Sequence, residues 1–459
     1  MVDMTPTTDP WMHKLLLVFL LAAADGLLPT SVRAETRAAA ALTPEAVWDA
    51  FNAAKDGDTV QLPAGTAVWQ HGWNSKHWAK MKAITIQGAG SDKTIIRTDT
   101  TTAPGDKAFV LNGAEGKPFR ITGITFDGTG FPTAGTWAGE VVINGNCKDF
   151  RVDHCKFLNM NQMMTITGDT YGLVDHCCFY PMEKKSGLAQ TIYCQGPGKV
   201  AFTRPLTMGT AQAVYFEDNE AHFSPEVVNE TGNNPWIVPY SGARVVIRHN
   251  QIINSQLEIY RVRPGAYGSQ SAEIYDNTFS AEGLKMGRPQ GFIFIAGGVA
   301  MVFNNTVTGT TYNTRTIQVS HERSFEAIGE FGICDGKNPI DGNQIPAGQI
   351  GAGYPGMGQP GRATDANGDG VFEPSPCYAW NNTLNGATVN LVLRPWGDPE
   401  KDAKQAAHVQ EGRDFFNEQP KPEYYKPYVY PHPLQRGWEA LMKSVADSTN
   451  ATAASARKL

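Results

Sequence analysis

Val152-Asp-His-Cys-Lys-Phe157 and Val174-Asp-His-Cys-Cys-Phe179 are two copies of one line: apolar, two polar residues, Asn or Cys, one residue, apolar. Ile121-Thr-Gly-Ile-Thr-Phe126 is a degenerate earlier copy, and five more follow. These are Phe216-Glu-Asp-Asn-Glu-Ala221, Ile247-Arg-His-Asn-Gln-Ile252, Ile274-Tyr-Asp-Asn-Thr-Phe279, Val302-Phe-Asn-Asn-Thr-Val307 and Ala379-Trp-Asn-Asn-Thr-Leu384. Successive starts are 31, 22, 42, 31, 27, 28 and 77 residues apart, mostly within the range of solenoid repeats. Each copy reads as two short strands joined by a kink that tolerates left-handed backbone, which is one corner of a coil. The gaps are too long and irregular for a stack of antiparallel hairpins.

Coils of parallel strands lie roughly 4.8 Å apart, so identical amides at one corner can hydrogen-bond up the stack. The predicted ladder is Asn219, Asn250, Asn277, Asn305 and Asn382, with Cys155 and Cys177 as small fillers in the same slot. On these lines the chain resembles the pectin-lyase-like superfamily over residues 40–390. The resemblance implies an all-β fold, a single-stranded right-handed parallel β-helix. That architecture hosts lyases, hydrolases, esterases, epimerases and adhesins.

The 459 residues carry 41% hydrophobic and 18% charged side chains, 47 glycines and a formal charge of −6. That balance argues against a nucleic-acid footprint but leaves an acidic polymer open as partner, because a local basic groove can override the net sign. Residues 1–34 read as an export signal, with an apolar run Leu15–Ala24 and a small-residue cleavage site ending at Ala34. Initiation at Met12 would make the better-formed signal. The run is too short to span a membrane. A secreted or periplasmic protein, monomeric, with a polysaccharide partner, is the expectation. Cys334 and Cys377 bracket a Gly/Pro-rich excursion, 323–376, and export would permit a disulfide between them.

Thr43-Pro44-Glu45 opens a helix to about Ala54, with Thr as N-cap and Pro at the first turn, suited to capping the N-terminal end of the solenoid. The β-helix domain is expected over 35–390. The Pro- and Tyr-rich segment 391–443 should wrap the side or cover the far end, and the Ala/Ser/Thr-rich 444–459 reads as disordered.

Strand alternation turns the second position of each line outward, giving the column Asp153, Asp175, Glu217, Arg248, Tyr275, Phe303 and Trp380. Three acids about 5 Å apart repel by roughly 3 kcal/mol per neighbouring pair at an effective dielectric near 20. Calcium bound by Asp153, Asp175 and Glu217 is one way to compensate; raised carboxyl pKa values, or neutralisation by other residues, is the other. A second calcium signal is Asp365-Ala-Asn367-Gly-Asp369-Gly-Val-Phe-Glu373, with oxygens at loop positions 1, 3, 5 and 9 and Gly at 6, but Pro376 at position 12. An Asp/Asn/Gly turn without metal fits the same string.

Val152-Asp-His and Val174-Asp-His resemble the V-W-I-D-H strand of pectate lyases, whose Asp binds calcium. Arg263-Pro264, followed by Ala272-Glu-Ile-Tyr-Asp-Asn277, resembles that family's R-x-P-x-x-R segment, although Pro264 directly follows Arg263 and no second Arg occupies the expected place. The resemblance implies β-elimination on a uronate, with Arg263, Arg261, Arg248 or Tyr260 as base or charge-stabilising group. Trp236, Tyr240 and Tyr275 are the candidates for stacking sugar rings. A glycoside hydrolase built on two opposed carboxylates, and a non-catalytic carbohydrate-binding or cell-surface β-helix, remain alternatives. His154, His176 and His249 read as stacked corner residues.

Overall fold

The computed structural model describes residues 34–72, 82–99, 107–130, 140–160, 162–183, 191–231, 235–260, 268–281, 284, 291–311, 316–320, 375–395, 397–418 and 422–456. The repeated line stacks in register. Ile121, Val152, Val174, Phe216, Ile247, Ile274, Val302 and Ala379 pair one to the next on parallel strands. The apolar residue closing each line does the same, from Phe126 through Phe157 and Phe179 to Leu384. Among the described residues these form a 12-stranded first sheet and an 11-stranded second sheet, and a third face is made of five strands and then four. The fold is the right-handed parallel β-helix.

The kink sits at the third residue of the line. His154, His176, Asp218, His249, Asp276, Asn304 and Asn381 all have φ between 51° and 58°, and Gly123 takes the same place at 69°. Asn and Asp tolerate this left-handed geometry better than most side chains, so the corner selects them. The next residue turns inward and builds the ladder. The Nδ2 of Asn219, Asn250, Asn277 and Asn305 donates to the Oδ1 of the next Asn, ending at Asn382, at 3.1, 2.9, 3.0 and 2.9 Å. In the earlier rungs Cys155 and Cys177 fill the slot, and both are buried. Inside the coil, Phe126, Phe157 and Phe179 stack at 5.1 and 5.0 Å.

Helix α1 (Pro44–Ala53) is capped by Thr43 Oγ1, which accepts from Ala46 N at 3.3 Å. Its Val47, Ala50 and Phe51 join the core beside the first strands. Lys82 Nζ donates to the carbonyls of Phe51, Asn52 and Ala54 at the helix end. Short helices α2 (Lys199–Phe202) and α3 (Pro225–Thr231) lie in connections between rungs, and α4 (Pro399–His408) follows the last of them.

From Phe416, stacked on Tyr378 at 5.4 Å, the C-terminal segment runs back along the outer face of the first sheet toward the early rungs. It ends in α5 (Pro433–Ala456). Leu434, Trp438 and Met442, one helical turn apart, pack on the sheet with Leu173, Tyr215 and Tyr275. Ala446 reaches Gly57, where a Cβ would come within 3.1 Å of the alanine's own. The disorder expected from Ser444 onward is therefore corrected to helix as far as Ala456.

Candidate functional site

The acidic column stacks in the order read from the sequence, Asp153 on Asp175 on Glu217 on Arg248 on Tyr275. It does not face water. Asp153, Asp175 and Glu217 are wholly buried beneath the C-terminal segment, and each already holds a guanidinium. Arg120 donates to both oxygens of Asp153 at 2.6 Å; Arg151 donates to Asp175 at 2.9 and 2.8 Å; Arg248 Nε donates to Glu217 at 2.6 Å. Burial works to raise the Asp153 pKa, but hydrogen bonds from Arg120 and His154 and the charges of Arg151 and Arg120 bring it well below the usual carboxylate range. Burial dominates at Glu217 and raises it despite Arg248. The predicted calcium seat on these three acids is thus corrected to a set of buried ion pairs. Their oxygens are taken up by guanidinium and, at Asp153 and Glu217, also by Thr122, His154, His432 N and Gln435, so they do not form a donor set fitted to a metal.

The same residues anchor the C-terminal strap. Arg248 donates to the carbonyls of Tyr428 at 2.6 Å and Val429 at 2.8 Å and to Tyr275 Oη at 2.8 Å. His432 N donates to Glu217 at 2.7 Å, and Arg151 donates to the carbonyls of Leu434 and Gln435. Arg248, expected as a catalytic group, and Tyr275, expected to stack sugars, are both buried in this contact. His154 and His176 stack in parallel at 5.1 Å, each Nδ1 on its neighbouring aspartate.

The third face has a different character. Ile143, Ile166, Ile192 and Cys194 point into the core, so Asn144, Thr167, Tyr193 and Gln195, which alternate with them, point out. Asn144 donates to Asn112 Oδ1 at 3.4 Å, and Thr167 Oγ1 donates to Asn144 Oδ1 at 2.7 Å. Thr167 pairs with Gln195 and Gln195 with Tyr240, which continues the row. At its end three tyrosines meet. The ring of Tyr240 lies 5.8 Å from Tyr193 and 6.3 Å from Tyr260, edge to face in both cases. Leu257 and Ile259 face inward, placing Glu258 outward beside them, and Glu258 is buried at 1% exposure. Half-buried amides, a hydroxyl and phenol rings in one row suit a chain of sugar hydroxyls and apolar ring faces.

Of the residues singled out from sequence, Tyr240 and Tyr260 are brought together here. Trp236 is not on the surface: it is fully buried in the core against Phe179 and Phe216. Arg261, Arg263, Asp365, Asn367, Asp369, Glu373 and Cys334 lie outside the described residues, as does the export segment. Cys377 is buried on the first sheet, its Sγ 3.7 Å from the carbonyl of Gly298. Sequence reading missed Asn112, Asn144, Thr167, Tyr193 and Gln195. Their signal was the alternation Val-Val-Ile-Asn, Met-Thr-Ile-Thr and Ile-Tyr-Cys-Gln, one strand per rung.

No family model and no curated protein matches the sequence. Among solved structures, an alginate lyase from Paenibacillus sp. is 14% identical, with 79% of this chain and 98% of that one covered and a TM-score of 0.37. A PL6 family alginate lyase is 16% identical, covering 86% of this chain and 53% of that one at 0.32. The catalytic domain of a GH87 α-1,3-glucanase in complex with nigerose is 11% identical, covering 86% and 70% at 0.31. Likeness at this level carries no argument about substrate or chemistry.

Proposed function

We propose that the chain is an exported carbohydrate-active enzyme, a polysaccharide lyase that binds an acidic glycan along the third face and cleaves it at the tyrosine end. The observation that carries this reading is the half-buried row Asn112, Asn144, Thr167, Gln195 and Tyr240 ending on Tyr260 and Tyr193. Arg261 and Arg263 follow Tyr260 directly in the chain and are the proposed partners of the uronate carboxylate. In β-elimination a base removes the proton at C5, the electron pair forms the C4–C5 double bond, and the C4–O bond breaks with protonation of the leaving oxygen. Tyr260 is the proposed proton-transfer group, and the arginines offset charge building on the carboxylate. Calcium has no place on the acidic column; the proposal keeps it only for the segment 365–373.

The test is incubation of the purified protein with pectate, alginate and glucuronan while following the near-ultraviolet absorbance of unsaturated uronate. Absorbance should appear with one of them, vanish in Tyr260→Phe with glycan binding retained, and persist with weaker binding in Tyr240→Ala. New reducing ends without absorbance would mean a hydrolase, and binding without any product a carbohydrate-binding protein. Export is checked by N-terminal sequencing of the secreted chain, expected to begin just after Ala34.

A further inference from the structure

Arg120, Arg151 and Arg248 on the first sheet each hold a carboxylate at 2.6 to 2.8 Å. Arg244, at the start of the strand that ends in Arg248, does not. It is 6% exposed, and its contacts are to neutral oxygens: Nε donates to Gln270 Oε1 at 2.5 Å, and Nη1 to Thr207 Oγ1 at 2.6 Å and Gln212 Oε1 at 3.5 Å. Among the described residues its Nη2 has no hydrogen-bond partner, and no carboxylate lies within ion-pair distance.

The carboxylate whose charge acts on it is Asp169, and Asp169 is already committed. Lys148 Nζ lies at 2.8 Å and Arg204 Nη1 at 2.9 Å from its Oδ2, and Tyr171 Oη donates to its Oδ1 at 2.5 Å. Burial works against its charge, yet these bonds pull its pKa down to about 2. Three cations therefore surround one carboxylate, and the most buried of the three is the one it does not reach. An uncompensated charge removed from water costs several kcal/mol. Arg244 also lines a cavity at the corner between the third face and the first sheet, together with Gly168, Thr170, Tyr171, Gln195 and Gly196. The cavity has room for about one particle the size of a water molecule or a small anion beside the guanidinium.

We infer that Arg244 and this cavity form a binding site for a single small monovalent anion, either free halide or the carboxylate of an acidic saccharide reaching in from the adjoining row. The anion supplies the missing counter-charge and ties the corner of the early rungs to the 203–212 connection. This assignment does not depend on catalysis.

Melting temperature is measured at fixed ionic strength in isethionate, in chloride, and in isethionate with added oligogalacturonate, for the full chain and for Arg244→Gln. A crystal soaked in bromide is examined by anomalous scattering. The wild type should melt higher in chloride than in isethionate, rising with the logarithm of chloride concentration. Arg244→Gln should melt alike in both, and bromide should lie in contact with Arg244 Nη2. A rise with oligogalacturonate, lost in Arg244→Gln, would support the site with a saccharide carboxylate as its anion. Identical melting of the wild type in all three solutions overturns the inference, as does a chloride rise of equal size in Arg244→Gln. Bromide seen only in the crystal, with no shift in solution, would be an adventitious ion only and also overturns it. Should Arg244→Gln fail to fold, the wild-type salt series and the bromide position decide alone.

Discussion

Arg248→Ala tests whether buried charge holds the strap. The guanidinium is fully buried and makes four bonds: to Glu217, to Tyr275 Oη and to the carbonyls of Tyr428 and Val429. Truncation leaves the Glu217 carboxylate buried with only His432 N and Gln435 Nε2 on its other oxygen. Removing one partner of a buried pair costs about 3 to 5 kcal/mol, a large share of the 5 to 15 kcal/mol by which domains are stable. Glu217→Gln in the same background removes the stranded charge, so the double variant should recover about 1 to 3 kcal/mol as a coupling term. Urea unfolding measures the energies, and limited proteolysis between residues 418 and 456 reports release of the strap. Additive losses, or a loss under about 1 kcal/mol for Arg248→Ala, would refute the claim that this pair is the anchor.

Asn277→Ala removes the Nδ2 bonds to Asn305, Ile247 and Tyr275 and the Oδ1 that accepts from both nitrogens of Asn250. Urea unfolding should show a loss of about 2 to 4 kcal/mol; a loss below about 1 would mean the ladder is not stabilising. Glu140 is buried, and burial, only partly offset by Lys107, Thr98 and Ala108, raises its pKa from 4.5 to about 7. The native state then holds a proton that the unfolded chain releases, so its contribution falls as pH rises from about 4.5 to 7, by at most roughly 3 kcal/mol. Glu140→Gln should therefore be the more stable protein at pH values above that window and match the wild type below it; equal stability throughout would show that Glu140 ionises without penalty. With arginine already neutralising the acidic column, chelator should lower the melting temperature of the wild type but not of Asp365→Ala/Asp369→Ala, and equal shifts in both would remove calcium from that segment.

The fold was legible because one line carries both requirements of the corner: a left-handed residue at position three and a small or amide side chain at position four. The outward column was legible too, but its environment was misread. Strand alternation puts residues i and i−2 on one face, so Arg151 stands beside Asp153 in the same strand and Arg120 beside Thr122 one rung below. The counter-ions were in the quoted strands, one step to the left of the repeat. The strap left a weaker trace, because its grip is largely through backbone carbonyls, which any residue supplies. Helix α5 did carry a signal, the spacing Leu434, Trp438, Met442, which outweighs the Ala/Ser/Thr composition of its second half. The row on the third face went unread because its strands fall outside the repeated line.

Covering the first sheet bears on the proposed binding of a polymer. On a solenoid every rung offers the same three outer faces, and a ligand must take one that is open along several rungs. The first is occupied by the protein's own C-terminal segment, whose backbone already satisfies the arginines and the glutamate that would otherwise grip a polar chain. The second has two outward registers, Lys156, Cys178, Glu220, Gln251, Thr278 and Thr306 and, beside it, Leu158, Tyr180, His222, Ile253, Ser280 and Thr308, a mixed surface whose one aromatic contact among the described residues is Tyr180 edge to face with His222 at 6.1 Å. The third combines hydrogen-bonding side chains in register with three tyrosines at one end. The strap and the proposed site are thus linked through the architecture: by burying its most charged face against itself, the chain leaves the neutral, aromatic-ended face as the one we propose for a saccharide.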